Sequence, residues 1–144
     1  ACATLRDPAP VSAYVPVDYE VPCCPVDPAA FVAVLHRALY GSNGFVPTST
    51  LCGECKRNER GCFFEEGELC LGLVTRGGCA ARCPHLGRPC NGCAGLSADA
   101  NLAAARAACD AAGIEGTRLE EALELFNKQG RAGGRSEVVE GQGR

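Results

Sequence analysis

Apolar positions fall into ordered stretches near the two ends of the chain, separated by a long segment without any period. Residues 11–19 place Val11, Ala13, Val15 and Val17 on one side of an extended backbone. That period of two predicts a strand. Pro16 confines it to an edge or interrupts it near its end, because proline has no N–H to give to a ladder. After a Cys23-Cys24-Pro25 loop, Asp27-Pro28 reads as an N-cap followed by proline at the first helical position. The helix it opens runs through Tyr40 and stops at Gly41, with Phe31, Val34, Leu35 and Ala38 at i, i+3, i+4 and i+7 as one stripe for burial. A strand, a cysteine-bearing loop and an amphipathic helix make an α/β fragment.

From about Ser42 to Gly95 no period is sustained. Glycines recur at 53, 61, 67, 72, 77, 78, 87, 92 and 95, with prolines at 84 and 89. Such permissive backbone can turn its amides inward, so irregular loops and short helical turns wrapped around metal are expected here. Order returns at residues 98–112, an alanine-rich helix stopping at Gly113. Thr117-x-x-Glu120 then has the form of a capping box, opening a helix to Gln129 with Leu119, Ala122, Leu123 and Phe126 on a narrow apolar face. Residues 130–144 are rich in Gly, Arg and Glu and are expected to be disordered.

Composition shows why the middle needs something other than a core. Hydrophobic residues are 47% of 144, yet the share is carried by alanine and 12 cysteines, with five Phe, three Tyr and no Trp or Met. Large core-filling side chains are scarce, so metal ligation must hold part of the fold together. A net charge of −3 argues against nucleic acid, which calls for a basic patch. No apolar run approaches the ~18 residues of a membrane span, and no signal-peptide layout is present. The start Ala1-Cys2-Ala3 and the lack of methionine lead us to expect a fragment or processed piece.

Eight of the cysteines lie between residues 52 and 93, as Cys52-x2-Cys55-x6-Cys62-x7-Cys70 and then Cys79-x3-Cys83-x6-Cys90-x2-Cys93. A disulfide scaffold is the default for a short secreted chain, but this one is longer and lacks a secretory signature. Two thiolate quartets suit two metal centres. Zinc sites usually pair two CxxC knuckles a dozen or more residues apart. Here only the outer ends carry CxxC, and the wider inner spacings leave room for a cubane. Proline directly after Cys24 and Cys83 is a frequent companion of cluster ligands. Spacing therefore favours iron–sulfur clusters, with zinc as the alternative.

Three segments carry a family resemblance: Leu51-Cys-Gly-Glu-Cys-Lys-Arg57, Cys70-Leu-Gly-Leu-Val-Thr-Arg-Gly-Gly-Cys79 and Arg88-Pro-Cys-Asn-Gly-Cys93. They resemble the C-terminal part of the small subunit of cytosolic nickel–iron hydrogenases, of types such as the sulfhydrogenase delta subunit and the gamma subunits of F420-linked and viologen-reducing enzymes. Ala1-Cys-Ala-Thr4 resembles the segment with the third ligand of that family's proximal cluster. Val17-Asp-Tyr-Glu-Val-Pro-Cys-Cys-Pro25 resembles the segment with the fourth. The match covers roughly residues 1–95, with ten cysteines in the family's order.

The resemblance implies that Cys52, Cys55, Cys62 and Cys70 hold a distal 4Fe–4S cluster, and Cys79, Cys83, Cys90 and Cys93 a medial one. Cys83 supplies a thiolate that a three-iron cluster would lack. Cys2 and Cys24 would be two ligands of a proximal 4Fe–4S cluster, whose other two lie in a family CxxC not found in this chain. Two clusters are thus complete here. Cys23 departs from the family, which usually has glycine at that position. The implied fold is α/β: a remnant of a flavodoxin-like domain (1–45), an irregular two-cluster domain (46–96), a helical pair (97–129) and a tail (130–144).

The implied role is electron transfer in the cytoplasm, with no catalytic residue in this chain. Its partners would be a nickel–iron large subunit, where hydrogen is split, and a flavin- or iron–sulfur-containing acceptor subunit. A standalone two-cluster carrier and a zinc-bound structural or adaptor module are the alternatives. Outside the quartets, Cys109 reads as a small buried residue, since free cysteine packs as a hydrophobe. His36 reads as a surface residue, and His85 as a neighbour of the metal site rather than a ligand. Arg76 and Arg88 are either loop anchors or charges that tune a cluster. Glu65, Glu66 and Glu68 form a solvated acidic face.

Overall fold

A computed structural model describes residues 11–21, 23–41, 47–58 and 61–127. The chain divides into two units, residues 1–18 with 128–144, and residues 19–127. In the first unit the described stretch opens with a 3-10 turn at Val11–Ala13, where the Tyr14 and Val15 amides both donate to the Val11 carbonyl. The expected strand over 11–19 is therefore not formed here. Val11, Tyr14, Val15 and Val17 are all exposed. An alternating stripe becomes a strand only when a neighbour takes up its backbone hydrogen bonds, and Pro16 has no donor to offer. The tail at 130–144 lies outside the described residues.

The second unit begins its helices with α1, Pro28–Tyr40. Asp27 caps it by accepting from the Ala30 amide at 3.1 Å, and Gly41 ends it in the left-handed region at φ 62°, as the Asp-Pro start and glycine stop predict. Its stripe is not buried as expected. Phe31 is 51% and Leu35 42% exposed, and no α1 side chain is buried.

Residues 47–96 are short helical turns joined by loops. α2 is Cys52–Cys55 and α3 is Arg82–His85, with 3-10 turns at Lys56–Asn58, Phe63–Glu66 and Leu71–Leu73. Thr50 with Arg76, and Thr75 with Leu96, make isolated antiparallel bridges. The irregular middle thus forms as its glycine content predicts.

Two helices close the unit: α4, Leu102–Ala111, and α5, Gly116–Asn127. Asn101 caps α4 by accepting from the Ala104 amide at 2.9 Å. The end of α4 is a Schellman motif. Gly113 sits at φ 70°, its amide donates to Asp110 at 3.1 Å, and the Ile114 amide donates to Cys109 at 2.9 Å. That turn folds Ile114 back onto Cys109 inside the core. α5 begins at Gly116, so Thr117 lies within the first turn rather than capping it.

The core joins these helices to the cysteine-rich segment. Leu71, Val74, Ala105, Cys109, Ile114 and Leu119 are buried as one cluster, with Ala122 and Leu123 packed against it. Leu71 directly follows Cys70, so the helical pair clamps the backbone that carries a candidate ligand. Leu119 is only 1% exposed at the centre of this contact. Leu119→Ala is expected to cost about 2–5 kcal/mol through the lost transfer energy and the cavity left behind. A urea-unfolding midpoint measures it, and a change below about 0.5 kcal/mol would mean that α5 does not support the middle segment.

Candidate metal centre

The first quartet is placed by three short helical turns. Cys52 and Cys55 lie on α2, which Leu51 anchors: its side chain is buried and its amide donates to the Thr75 carbonyl at 2.8 Å. Cys62 precedes the 3-10 turn Phe63–Glu66, and Cys70 precedes Leu71–Leu73. These four thiols are electrostatic neighbours. Burial first, then the charges of Cys70, Cys62 and Cys55, pushes the Cys52 thiol from its ordinary 9.0 to about 11. Burial is also the main cause that raises Cys70, opposed by backbone hydrogen bonds from Cys90 and Gly72.

The second quartet sits on two loops and a helical turn. Cys79 leads into Ala80 and Ala81, both in the left-handed region at φ 53° and 50°. Non-glycine residues there carry strain of about 1–2 kcal/mol each, a cost that persists where surroundings fix the backbone. Cys83 lies on α3. Cys90 and Cys93 flank Gly92, whose amide donates to Cys90 Sγ at 3.4 Å. Burial raises Cys83, followed by the charges of Cys93 and Cys79. Burial pushes Cys90 up to about 11, against the Gly92 hydrogen bond.

A hydrogen bond joins the quartets. The Cys90 amide donates to Cys70 Sγ at 3.2 Å, and the Leu71 amide donates back to the Cys90 carbonyl at 2.9 Å. Gly72 lies over this junction. A Cβ there would meet Cys70 Sγ at 3.5 Å, Cys52 Sγ at 3.7 Å and the Cys90 Cβ at 3.8 Å, so its bare Cα leaves open the space beside the sulfurs.

Sequence patterns alone do not reveal this use of Gly72, which is one glycine among many. Nor do they single out Glu54, between Cys52 and Cys55. Glu54 Oε1 accepts from the Gly78 amide at 2.5 Å and so ties α2 to the turn before Cys79, while Oε2 is buried with no hydrogen-bond partner among the described residues. A carboxylate inside a CxxC was the available signal.

The remaining predicted residues are placed as follows. Cys24 is exposed, its peptide bond to Pro25 is cis, and Cys2 lies outside the described residues. The Cys23 amide donates to the Cys93 carbonyl at 3.3 Å, which puts this residue beside the second quartet. Cys109 is wholly buried in the helical core, as its setting predicts. His36 is exposed and meets the Tyr40 ring edge-on at 5.9 Å. His85 is exposed on α3 and lines a cavity of about 250 Å³ with Glu54, Arg57, Gly78 and Ala80. Glu65, Glu66 and Glu68 are exposed.

Among the described residues the 11 cysteines form no disulfide, and no three His, Cys, Asp or Glu side chains converge on a point for a single ion. The donors fit an iron–sulfur cluster. Cys70 and Cys90 are buried sulfurs that accept backbone N–H bonds, and Gly72 leaves room beside Cys70 and Cys52.

The raised thiols set a pH dependence for the metal-free polypeptide. A thiol whose folded pKa lies above its unfolded value stabilises the fold below about pH 9, and that contribution is lost as pH rises towards 11. Metal-free, reduced protein is therefore expected to lose urea resistance between pH 9 and 11. Thiolate ligation runs the other way, because protons compete with metal, so metal uptake should strengthen over the same range. A urea midpoint that stays flat from pH 8 to 11 would contradict the burial of Cys52 and Cys90.

Two groups of cysteines lie close together on irregular backbone and mark a cysteine-rich class of protein, which comparison with known proteins places further. No protein-family model matches the chain. Over 137 residues it is 35% identical to the G subunit of the vhu F420-non-reducing hydrogenase of Methanocaldococcus jannaschii, a match covering 83% of this chain and 46% of that protein. It is 42% identical over 99 residues to the delta subunit of sulfhydrogenase 2 of Pyrococcus furiosus, covering 68% of this chain and 42% of that one. The iron-sulfur G subunit of the F420-non-reducing hydrogenase of Archaeoglobus profundus is 27% identical over 114 residues, 60% of this chain and 36% of that protein. The chain belongs to the family of these hydrogenase G and delta subunits, as the cysteine segments predict, and spans less than half the length of each of these relatives.

Proposed function

We propose that the chain is the electron-transfer part of a nickel–iron hydrogenase small subunit, holding one 4Fe–4S cluster on Cys52, Cys55, Cys62 and Cys70 and another on Cys79, Cys83, Cys90 and Cys93. The observation that carries this reading is the Cys90 amide on Cys70 Sγ at 3.2 Å, a direct hydrogen-bonded link between a ligand of one quartet and a ligand of the other. When bound, such clusters accept and release single electrons at potentials set by their surroundings.

The chain's own part is to hold the sulfurs, shield them and stabilise their charge. The amides of Gly72, Cys90 and Gly92 donate to ligand sulfur, and the burial of Cys70 and Cys90 keeps water from them. Cys2 and Cys24 are proposed as two ligands of a third, proximal cluster. Residues 1–45 are proposed as a remnant of a flavodoxin-like domain. The proposed partners are the large subunit with the hydrogen site and an acceptor-reducing subunit. These supply the bond-making chemistry for which this chain has no residues.

Anaerobic purification tests the proposal. The protein should be brown, absorb broadly near ~400 nm, and carry about eight iron and about eight acid-labile sulfide per chain. A colourless protein with about two zinc ions would overturn it in favour of a structural zinc module. The isolated chain should neither evolve nor consume hydrogen.

A further inference from the structure

Resting on the proposal that the two quartets hold clusters, we infer that Glu54, although it lies between two ligands of the first site, is a positioning residue for the second. Its carboxylate oxygen fixes the Gly77–Gly78 turn that delivers Cys79. Residues 49–51 run antiparallel to residues 75–77, through the Thr50–Arg76 bridge, the Leu51 amide on the Thr75 carbonyl at 2.8 Å and the Gly77 amide on the Ser49 carbonyl at 3.0 Å. The next amide along, Gly78, donates instead to Glu54 Oε1 at 2.5 Å. A side chain of α2 thus takes over where the backbone pairing stops, and the residue it holds is the neighbour of Cys79.

The stretch beyond this point needs such a restraint. Gly78 sits at φ 116°, and Ala80 and Ala81 follow at 53° and 50°. Backbone of this kind is strained for residues with a side chain, and it persists where the surroundings over-determine it. Ala81 is held at the far end, wholly buried in one cluster with Leu51, Phe63, Cys70 and Cys90. Glu54 holds the near end, so Cys79 lies between two fixed points. Gly77 makes room for that contact. A Cβ there would stand 3.0 Å from Glu54 Oε1 and 3.4 Å from its Cδ, so the carboxylate rests against bare backbone.

Glu54 and Arg57 from one segment, and Gly78, Ala80 and His85 from the other, also line a cavity of about 250 Å³. Packing therefore fills the joint only in part, and the hydrogen bond spans it. Groups that orient a ligand without touching the metal typically contribute about 10–100-fold to metal affinity. Glu54 makes that contribution across the boundary between the sites: it sits in the first quartet's CxxC and steadies a ligand of the second.

The test follows both EPR signals of the full chain, purified with its clusters and reduced, during exposure to an iron chelator. The second signal is the one altered by Cys83→Ser. Glu54→Ala should lose the second signal about 10–100-fold faster than the unaltered protein and the first at an unchanged rate. Glu54→Gln keeps an oxygen acceptor and should restore most of the lifetime, which separates the hydrogen bond from the charge. Gly77→Ala should shorten the second lifetime from the other side of the contact. It should add little when combined with Glu54→Ala, since both act through one contact. Unchanged lifetimes in both alanine variants overturn the inference. Faster loss of the first signal alone, or of both signals equally, also overturns it, by making Glu54 a support of its own site or of the whole fold. A glutamine variant as short-lived as the alanine one overturns the acceptor role. If Glu54→Ala does not fold, Gly77→Ala decides by the same criteria. If the unaltered protein carries no clusters, the proposed function itself has failed, and this inference with it.

Discussion

Cys83→Ser is expected to convert the second cluster to a three-iron centre or remove it, while the cluster on Cys52, Cys55, Cys62 and Cys70 persists. Serine keeps the shape of the side chain but replaces a soft sulfur donor with a hard oxygen that stays protonated near neutral pH. Cys83 is on the short helix α3, within electrostatic reach of Cys79 and Cys93, and less buried than Cys90. Its loss therefore opens one corner of the site without emptying the core. Iron should fall from about eight per chain to between about four and seven, with one of two EPR signals changed. Two unchanged signals would mean that the quartets are divided differently.

The second large effect is expected at Gly72. A Cβ alone fits there at ordinary contact distances, 3.5 Å from Cys70 Sγ and 3.7 Å from Cys52 Sγ. The two methyls of Gly72→Val then extend into the space beside the sulfurs. The variant should lose the first cluster, about four of about eight iron atoms, and keep the second. Because the substituted face looks onto sulfur rather than the helical core, the thermal transition of the metal-free chain should move little. Full iron content in Gly72→Val would show that nothing bulky is held between Cys52 and Cys70. Together with Cys83→Ser this gives a reciprocal pair, each variant sparing the site that the other damages.

Features with local causes were legible in the sequence. The Asp27-Pro28 start and Gly41 stop of α1, and the Gly113 stop of α4, are caps, and a cap depends on a few adjacent residues and their dihedrals. The family was legible for a similar reason, since its resemblance is carried by cysteines at short spacings within a few segments. Legibility ended where an outcome depends on a distant neighbour. Residues 11–19 alternate as a strand does, yet Val11–Ala13 turns as 3-10. The α1 stripe is patterned for burial, yet Phe31 and Leu35 remain about half exposed. Periodicity says which side of an element is apolar, and burial needs a partner surface to meet it.

The same division runs through the candidate site. By itself the sequence determined the two groups of cysteines, the irregular backbone around them and the helices that follow, because each is encoded in residue type and short spacing. Tertiary structure alone decided that Cys90 bonds Cys70 across 20 residues, that Gly72 lies above both, and that Cys23 meets Cys93. Those contacts join residues far apart in the chain. Their geometry is set by the buried Leu71–Leu119 core and the Leu51 anchor, which no local pattern specifies.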